Sequence, residues 1–153
     1  MKKKDGGVRR ILFLCTGNSA RSIMAEAYMN AKGAPGWRAC SAGSHPAGKP
    51  NPLALETLSA HGIAAADPRS KSWDEFARDD APVMDVVVTV CDNAAGEVCP
   101  IWPARGGRAP EKLHWSFPDP AAVAGSDAEK RAAFEAVFAE IRTRIDAFLK
   151  DNA

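Results

Sequence analysis

Val8-Arg9-Arg10-Ile11-Leu12-Phe13-Leu14-Cys15-Thr16-Gly17-Asn18-Ser19-Ala20-Arg21-Ser22 reads as a strand, a polar turn and the start of a helix. The run Ile11–Leu14 is continuously apolar rather than alternating, the mark of a strand covered on both faces. From Ser19 the period changes: Ile23, Met24, Ala27 and Tyr28 fall at helical spacing, and Gly33 to Gly36 stop the helix. A buried strand feeding directly into a helix is the opening half of a βαβ unit.

Working outward, Trp37–Ala42 is predicted as a second strand, and Asn51–His61 as a helix closed by Gly62. Ser72–Arg78 reads as a short helix capped by Ser72. Met84–Val90, with Val86-Val87-Val88 at its centre, is the strongest strand signal in the chain. Residues 100–112, rich in Pro, Gly and Arg, read as an irregular loop, and Lys112–Phe117 as a last strand. Ser126-Asp127-Ala128-Glu129 is a capping box that opens a long terminal helix. The inner face of that helix is Phe134, Val137, Phe138, Ile141, Ile145, Phe148 and Leu149. Alternating strands and helices with continuous apolar strands define an α/β domain built on a parallel sheet with helices on both faces. No internal repeat or linker divides it. Residues 1–7 are expected to be a flexible N-terminal segment and 8–150 the domain.

Composition narrows the function. The chain has 153 residues, 46% hydrophobic and 25% charged, with a formal net charge of +1. That near-balance argues against nucleic acid or a membrane as a partner recognised by bulk charge. No run approaches the ~18 apolar residues of a transmembrane helix. The apolar stretch behind Met1-Lys2-Lys3-Lys4 is shorter than the roughly 7–15 residues of a secretory signal, so a cytoplasmic location is expected. In that compartment the four cysteines are read as thiols with chemistry rather than as structural disulfides.

In open α/β sheets the ligand site lies beyond the carboxyl ends of the strands. Cys15 and Cys91 each follow a predicted strand, so both belong at that rim. The turn Cys15-Thr16-Gly17-Asn18-Ser19-Ala20-Arg21-Ser22 suits a tetrahedral oxyanion. A short strand-to-helix loop aims backbone N–H groups inward, and Gly17 and Asn18 tolerate the positive φ such a nest requires. The helix N-terminus adds partial positive charge, and Arg21 can fork onto two oxygens. The same field favours Cys15 as a nucleophilic thiolate, with the Ser19 and Ser22 hydroxyls available to its sulfur. A buried strand-end cysteine before an ordinary polar turn explains neither the arginine nor the glycine.

This loop resembles the phosphate loop of low-molecular-weight protein tyrosine phosphatases and of the arsenate reductases built on the same fold. The resemblance continues through Ser41-Ala42-Gly43, the segment Ser72–Asp74, Val88-Thr89-Val90-Cys91 and His114-Trp115-Ser116-Phe117-Pro118-Asp119-Pro120. It implies a four-stranded parallel sheet. It also implies oxyanion binding by Thr16, Gly17, Asn18, Ser19, Ala20, Arg21 and Ser22.

Displacing an oxygen from a tetrahedral oxyanion requires an acid facing the nucleophile. An Asp-Pro taken alone is a common turn starter. The resemblance implies that Asp119, held between Pro118 and Pro120, is that general acid. In the phosphatases an aromatic residue usually follows the Asp-Pro, whereas Ala121-Ala122 follow here.

Cys91 and Cys99 are separated by seven residues. Zinc sites prefer closer pairs, and no second pair or close His is present. Two buried thiols or a redox pair remain, and the pair resembles the resolving cysteines of thioredoxin-coupled arsenate reductases, with one extra residue between them. The resemblance implies attack of Cys91 on the Cys15 adduct, then of Cys99 on Cys91, with thioredoxin (or glutaredoxin) as reductant. A low-molecular-weight phosphatase and a non-catalytic redox or oxyanion sensor are the alternatives. Ala20 stands where many relatives carry another cysteine. Cys40 reads as a core residue. No cofactor is required, although Asn18, Glu26, Ser72 and Asp74 match positions of a potassium site in some relatives. The same oxygens serve equally as loop-fixing hydrogen-bond partners. His45, His61 and His114 carry no catalytic role, Arg105 and Arg108 are solvated loop charges, and the protein is expected to be a monomer.

Overall fold

A computed structural model describes residues 8–33, 36–64, 69–78, 80–91 and 109–152. Four strands, β1 (Arg9–Leu14), β2 (Trp37–Ala42), β3 (Val86–Thr89) and β4 (Glu111–His114), form one parallel sheet in the order β2-β1-β3-β4. Among the described residues the α-helices are α1 (Arg21–Lys32), α2 (Pro52–Ala60) and α3 (Asp127–Asp151). Two short 3-10 helices, Trp73–Phe76 and Pro120–Ala122, lie in the connections. Among the described residues no helix is long and apolar enough to cross a membrane.

The central strand shows why β1 is apolar throughout. Ile11 and Phe13 pack into the larger core with Met24 of α1 and Phe134, Phe138, Ile141 and Ile145 of α3. Leu12 and Leu14 face the opposite side, against Phe76, Met84 and Val87. Among the described residues, α-helices cover one face and the Trp73–Phe76 turn packs on the other. Each fully buried large side chain contributes about 1.5–3 kcal/mol. The apolar face expected for the last helix is the one buried. Ser126 and Glu129 close the capping box: Glu129 N–H donates to Ser126 Oγ at 3.2 Å and Ser126 N–H to Glu129 Oε1 at 2.9 Å.

Four boundaries differ from the sequence expectation. The first helix starts at Arg21, not Ser19, because Ser19 and Ala20 remain in the loop that α1 closes. Ser72–Arg78 shrinks to a single 3-10 turn, with Ser72 as its cap as expected. β3 is shorter than Met84–Val90, although Val90 N–H still donates to Leu14 O at 2.8 Å. β4 begins at Glu111, inside the stretch expected to be loop, and ends at His114. Beyond it Trp115 and Phe117 keep single bonds to Thr89 O and Val90 O before Pro118, which has no N–H to offer. The expected flexible segment 1–7 and loop residues 100–108 lie outside the described residues.

Candidate active site

β1 and β3 are adjacent and parallel, with Leu14 opposite Thr89. Their carboxyl ends therefore deliver Cys15 and Cys91 to one rim, both buried. Cys91 Sγ lies 3.8 Å from the hydroxyl of Thr16, the residue after Cys15.

The loop from Thr16 to Ala20 is held by its carbonyls. Thr16 O accepts from His45 N–H at 2.9 Å, Gly17 O from Ala47 N–H at 2.9 Å and from Ser70 Oγ at 2.8 Å, and Ser19 O from Asn51 N–H at 2.7 Å. A peptide whose C=O is bonded outward presents its N–H to the other side. Among the described residues no N–H from Thr16 to Ser22 donates to another backbone carbonyl. The result is a cradle of donors backed by the N-terminus of α1, suited to an anion of several oxygens. Asn51 serves twice, because its side chain also caps α2 by accepting from Leu53 N–H at 2.9 Å.

Asn18 is the only non-glycine with positive φ among the described residues, at 45°. Its side chain, wholly buried, stabilises that conformation. Oδ1 accepts from Lys71 N–H at 2.7 Å, which assigns the amide orientation. Nδ2 donates to Ser41 Oγ at 3.0 Å and to Ser22 Oγ at 2.8 Å. Ser41 in turn donates to the Glu26 carboxylate, an acceptor only. Every proton up to Ser22 is thereby spoken for, and the Ser22 hydrogen is left for Cys15 Sγ at 2.9 Å. The network thus delivers a hydroxyl donor to the sulfur.

Gly43 fits this wall because it has no side chain. A Cβ there would sit 2.5 Å from Thr16 O, 2.7 Å from Cys15 O and 2.9 Å from Asn18 N, all backbone atoms. Its own N–H and C=O pair with Lys71 O and Trp73 N–H, joining the loop after β2 to the segment before the 3-10 turn.

Arg21 leaves the first turn of α1 and donates from one terminal nitrogen to Phe117 O at 3.0 Å. Its other terminal nitrogen lies 3.8 Å from Asp119 Oδ2. Asp119 Oδ1 accepts from Ala121 N–H at 3.0 Å and caps the Pro120–Ala122 turn. The aspartate is about half exposed, whereas Arg21 is largely covered. The acid expected from the Asp-Pro therefore stands beside the arginine of the loop, at the solvent side of the cradle.

The sequence of residues 10–152 matches the family described as low molecular weight phosphotyrosine protein phosphatase. The chain belongs to that family. Within it, an arsenate reductase of Halalkalibacterium halodurans is 41% identical over 138 residues, 90% of this chain and 93% of the relative. Among solved structures, the arsenate reductase of Archaeoglobus fulgidus superposes with a TM-score of 0.72 at 30% identity, covering 92% of this chain and 98% of its own. A thioredoxin-dependent arsenate reductase of Corynebacterium glutamicum gives 0.64 at 26% identity, covering 94% of this chain and 60% of its own. The four-stranded parallel sheet is thus that of the phosphatase family.

Of the residues expected in the site, the family member brings together Cys15, the loop through Ser22, Arg21, Asp119 and Cys91. Cys99, like Arg105 and Arg108, lies outside the described residues. Cys40 is partly buried at the middle of β2, and burial followed by the nearby Glu26 carboxylate pushes its thiol up to about 11. Sequence reasoning did not assign Ser41, Asn51, Ser70 or Lys71 to the loop's support. Ser41 beside Gly43 at a strand end was the one visible hint. The other three contact the loop only through tertiary packing.

Proposed function

We propose that the protein reduces arsenate to arsenite. One observation carries the reading beyond the family's fold: a second buried thiol, Cys91, stands against the phosphate loop at Thr16. Hydrolysis of a cysteinyl intermediate needs only water, whereas reduction needs a thiol able to reach the first one. The names of the relatives point the same way.

Arsenate docks on the loop N–H groups and Arg21. The Cys15 thiolate attacks arsenic, forming an S–As bond, while one oxygen departs as water with a proton supplied by Asp119. The Cys91 thiolate then attacks Cys15 Sγ. The S–S bond forms, the S–As bond breaks, and its electron pair stays on arsenic, which leaves as arsenite. Cys99 attacks Cys91, freeing Cys15 and leaving a Cys91–Cys99 disulfide. A dithiol of the thioredoxin class returns the two electrons; a glutaredoxin is the other donor of matching chemistry. The similarity to a thioredoxin-dependent reductase supports the first choice. The protein works in the cytoplasm as a monomer, where such reductants are maintained.

Phosphate shares arsenate's shape and charge and binds the same cradle. Cys15, Arg21 and Asp119 are also the parts a phosphatase needs, so slow hydrolysis of aryl phosphates accompanies reduction. Ala121 and Ala122 give an aryl ring no aromatic partner beside Asp119. The test is arsenate-dependent NADPH oxidation in the presence of thioredoxin and thioredoxin reductase. Cys91→Ser is expected to abolish it, while leaving phosphate binding and aryl-phosphate hydrolysis in place. Turnover that survives the substitution overturns the relay, and fast hydrolysis without arsenate reduction makes the protein a phosphatase.

A further inference from the structure

Lys71 is a buried cation that the reaction steps do not use. Its side chain is 9% exposed, and its Nζ lies 3.7 Å from Glu26 Oε1 and donates to Arg69 O at 3.1 Å. Burying an ammonium is costly unless it is paired and hydrogen-bonded, so its position calls for a reason. The same residue reaches the phosphate loop by a second route, through its backbone N–H to Asn18 Oδ1. Lys71 therefore holds both ends of one chain of contacts: Glu26, Ser41 and Asn18, the last donating to Ser22 beside Cys15.

The carboxylate at the far end sets the direction of that chain. Glu26 only accepts, so Ser41 donates to it and accepts from Asn18. The Glu26 carboxylate is only partly covered, and the charge that faces it is the buried Lys71 ammonium. Asn18, Glu26, Ser72 and Asp74 were candidate donors to a potassium ion. Here Glu26 faces the ammonium, Asn18 Oδ1 is taken by Lys71 N–H, and Ser72 Oγ accepts from Asp74 N–H at 3.1 Å. A potassium ion at Glu26 would have to displace the ammonium.

We propose that Lys71 is a positioning residue whose ammonium serves as the built-in cation of the phosphate loop, so that oxyanion binding in this protein is independent of potassium. This rests on the oxyanion-binding part of the function proposed above, not on arsenate turnover. Lys71 touches no reacting atom. It acts through Glu26, Ser41 and Asn18 on the shape of the loop.

The test is calorimetric titration with inorganic phosphate, in buffers whose only added salt is potassium chloride or sodium chloride. The wild type is expected to bind phosphate equally in both, with the same melting temperature. Lys71→Gln removes the charge at similar size. In sodium its affinity for phosphate is expected to fall about tenfold, the equivalent of one lost charge-assisted contact. Potassium is expected to restore that affinity and to raise the variant's melting temperature. Wild-type binding that tightens in potassium overturns the proposal, and this arm stands even where the variant does not fold. Unchanged affinity of Lys71→Gln overturns it too, as does a loss that potassium leaves unrelieved, which would make the lysine merely structural. Phosphate binding that behaves as expected in a protein unable to reduce arsenate would remove the reductase function and leave this inference intact.

Discussion

Ser22 Oγ accepts a hydrogen bond from Asn18 at 2.8 Å and offers its own hydrogen to Cys15 Sγ at 2.9 Å. The two residues are seven positions apart, on the two sides of the loop, and the loop's curvature brings them together. Hydrogen bonds to charged groups contribute about 1.5–3 kcal/mol. Ser22→Ala should therefore lower kcat/KM for arsenate by roughly 10- to 100-fold. The alkylation rate of Cys15 by iodoacetamide at neutral pH should fall with it. An unaltered alkylation rate would show that the hydroxyl does not act on the sulfur.

Gly43→Ala should be far more damaging than a surface Gly→Ala change. The added methyl meets three backbone atoms of the phosphate loop, none of which can rotate away. Overpacking of this kind costs about 1–3 kcal/mol of stability. Phosphate binding should be lost more completely than stability, because the displaced atoms shape the cradle itself. Thermal melting and phosphate titration of the same sample separate the two effects.

Asp119→Asn retains an oxygen able to cap the Pro120–Ala122 turn, so the fold around it should be preserved. The amide carries no acid proton and no charge beside Arg21. General acid catalysis contributes typically about 10²–10⁴-fold, and kcat should drop within that range while phosphate affinity is kept or slightly improved. A variant with normal kcat would place the leaving-group proton elsewhere.

Cys40 should be silent in catalysis and visible in alkaline stability. Its thiol is raised from about 9 to about 11, first by burial and then by Glu26. Between those values the unfolded chain loses the proton while the folded chain keeps it, so stability falls as pH rises. The contribution is full below pH ~9 and lost through pH ~11, amounting to ~2–3 kcal/mol. Chemical denaturation of wild type and Cys40→Ala across that window should show a shallower decline in the variant. Arsenate reduction at neutral pH should be equal in the two.

The strand–loop–helix unit was legible because each part has a local cause. Ile11–Leu14 is apolar on both faces, Asn18 bends the chain at positive φ while Gly17 does not adopt the positive φ expected of it, and the spacing of Ile23, Met24 and Ala27 commits α1 to one buried face. The terminal helix was legible for the same reason, down to its capping box. The boundaries that shifted are those where distant partners compete with local preference. Ser19 stays out of α1 because Asn51, at the start of α2, holds its carbonyl. β4 starts early because Glu111 pairs with β3 at Val86.

The sequence by itself marked the loop Cys15–Ser22, with Cys15 as candidate nucleophile and Arg21 as candidate anion binder, since strand end, turn residues and helix start follow one another in eight consecutive residues. It also marked Cys91 as a group at a strand end, while Asp119, in the loop beyond β4, was marked by the resemblance of its Asp-Pro. Only the tertiary structure decided that Asn18 is held from Lys71, Ser41 and Ser22, that Gly43 fills the wall behind Cys15, and that Glu26 pairs with an ammonium. These contacts join residues up to 53 positions apart. Hydrogen-bond direction and buried charge depend on which atoms meet in space, and no local period in the chain encodes that.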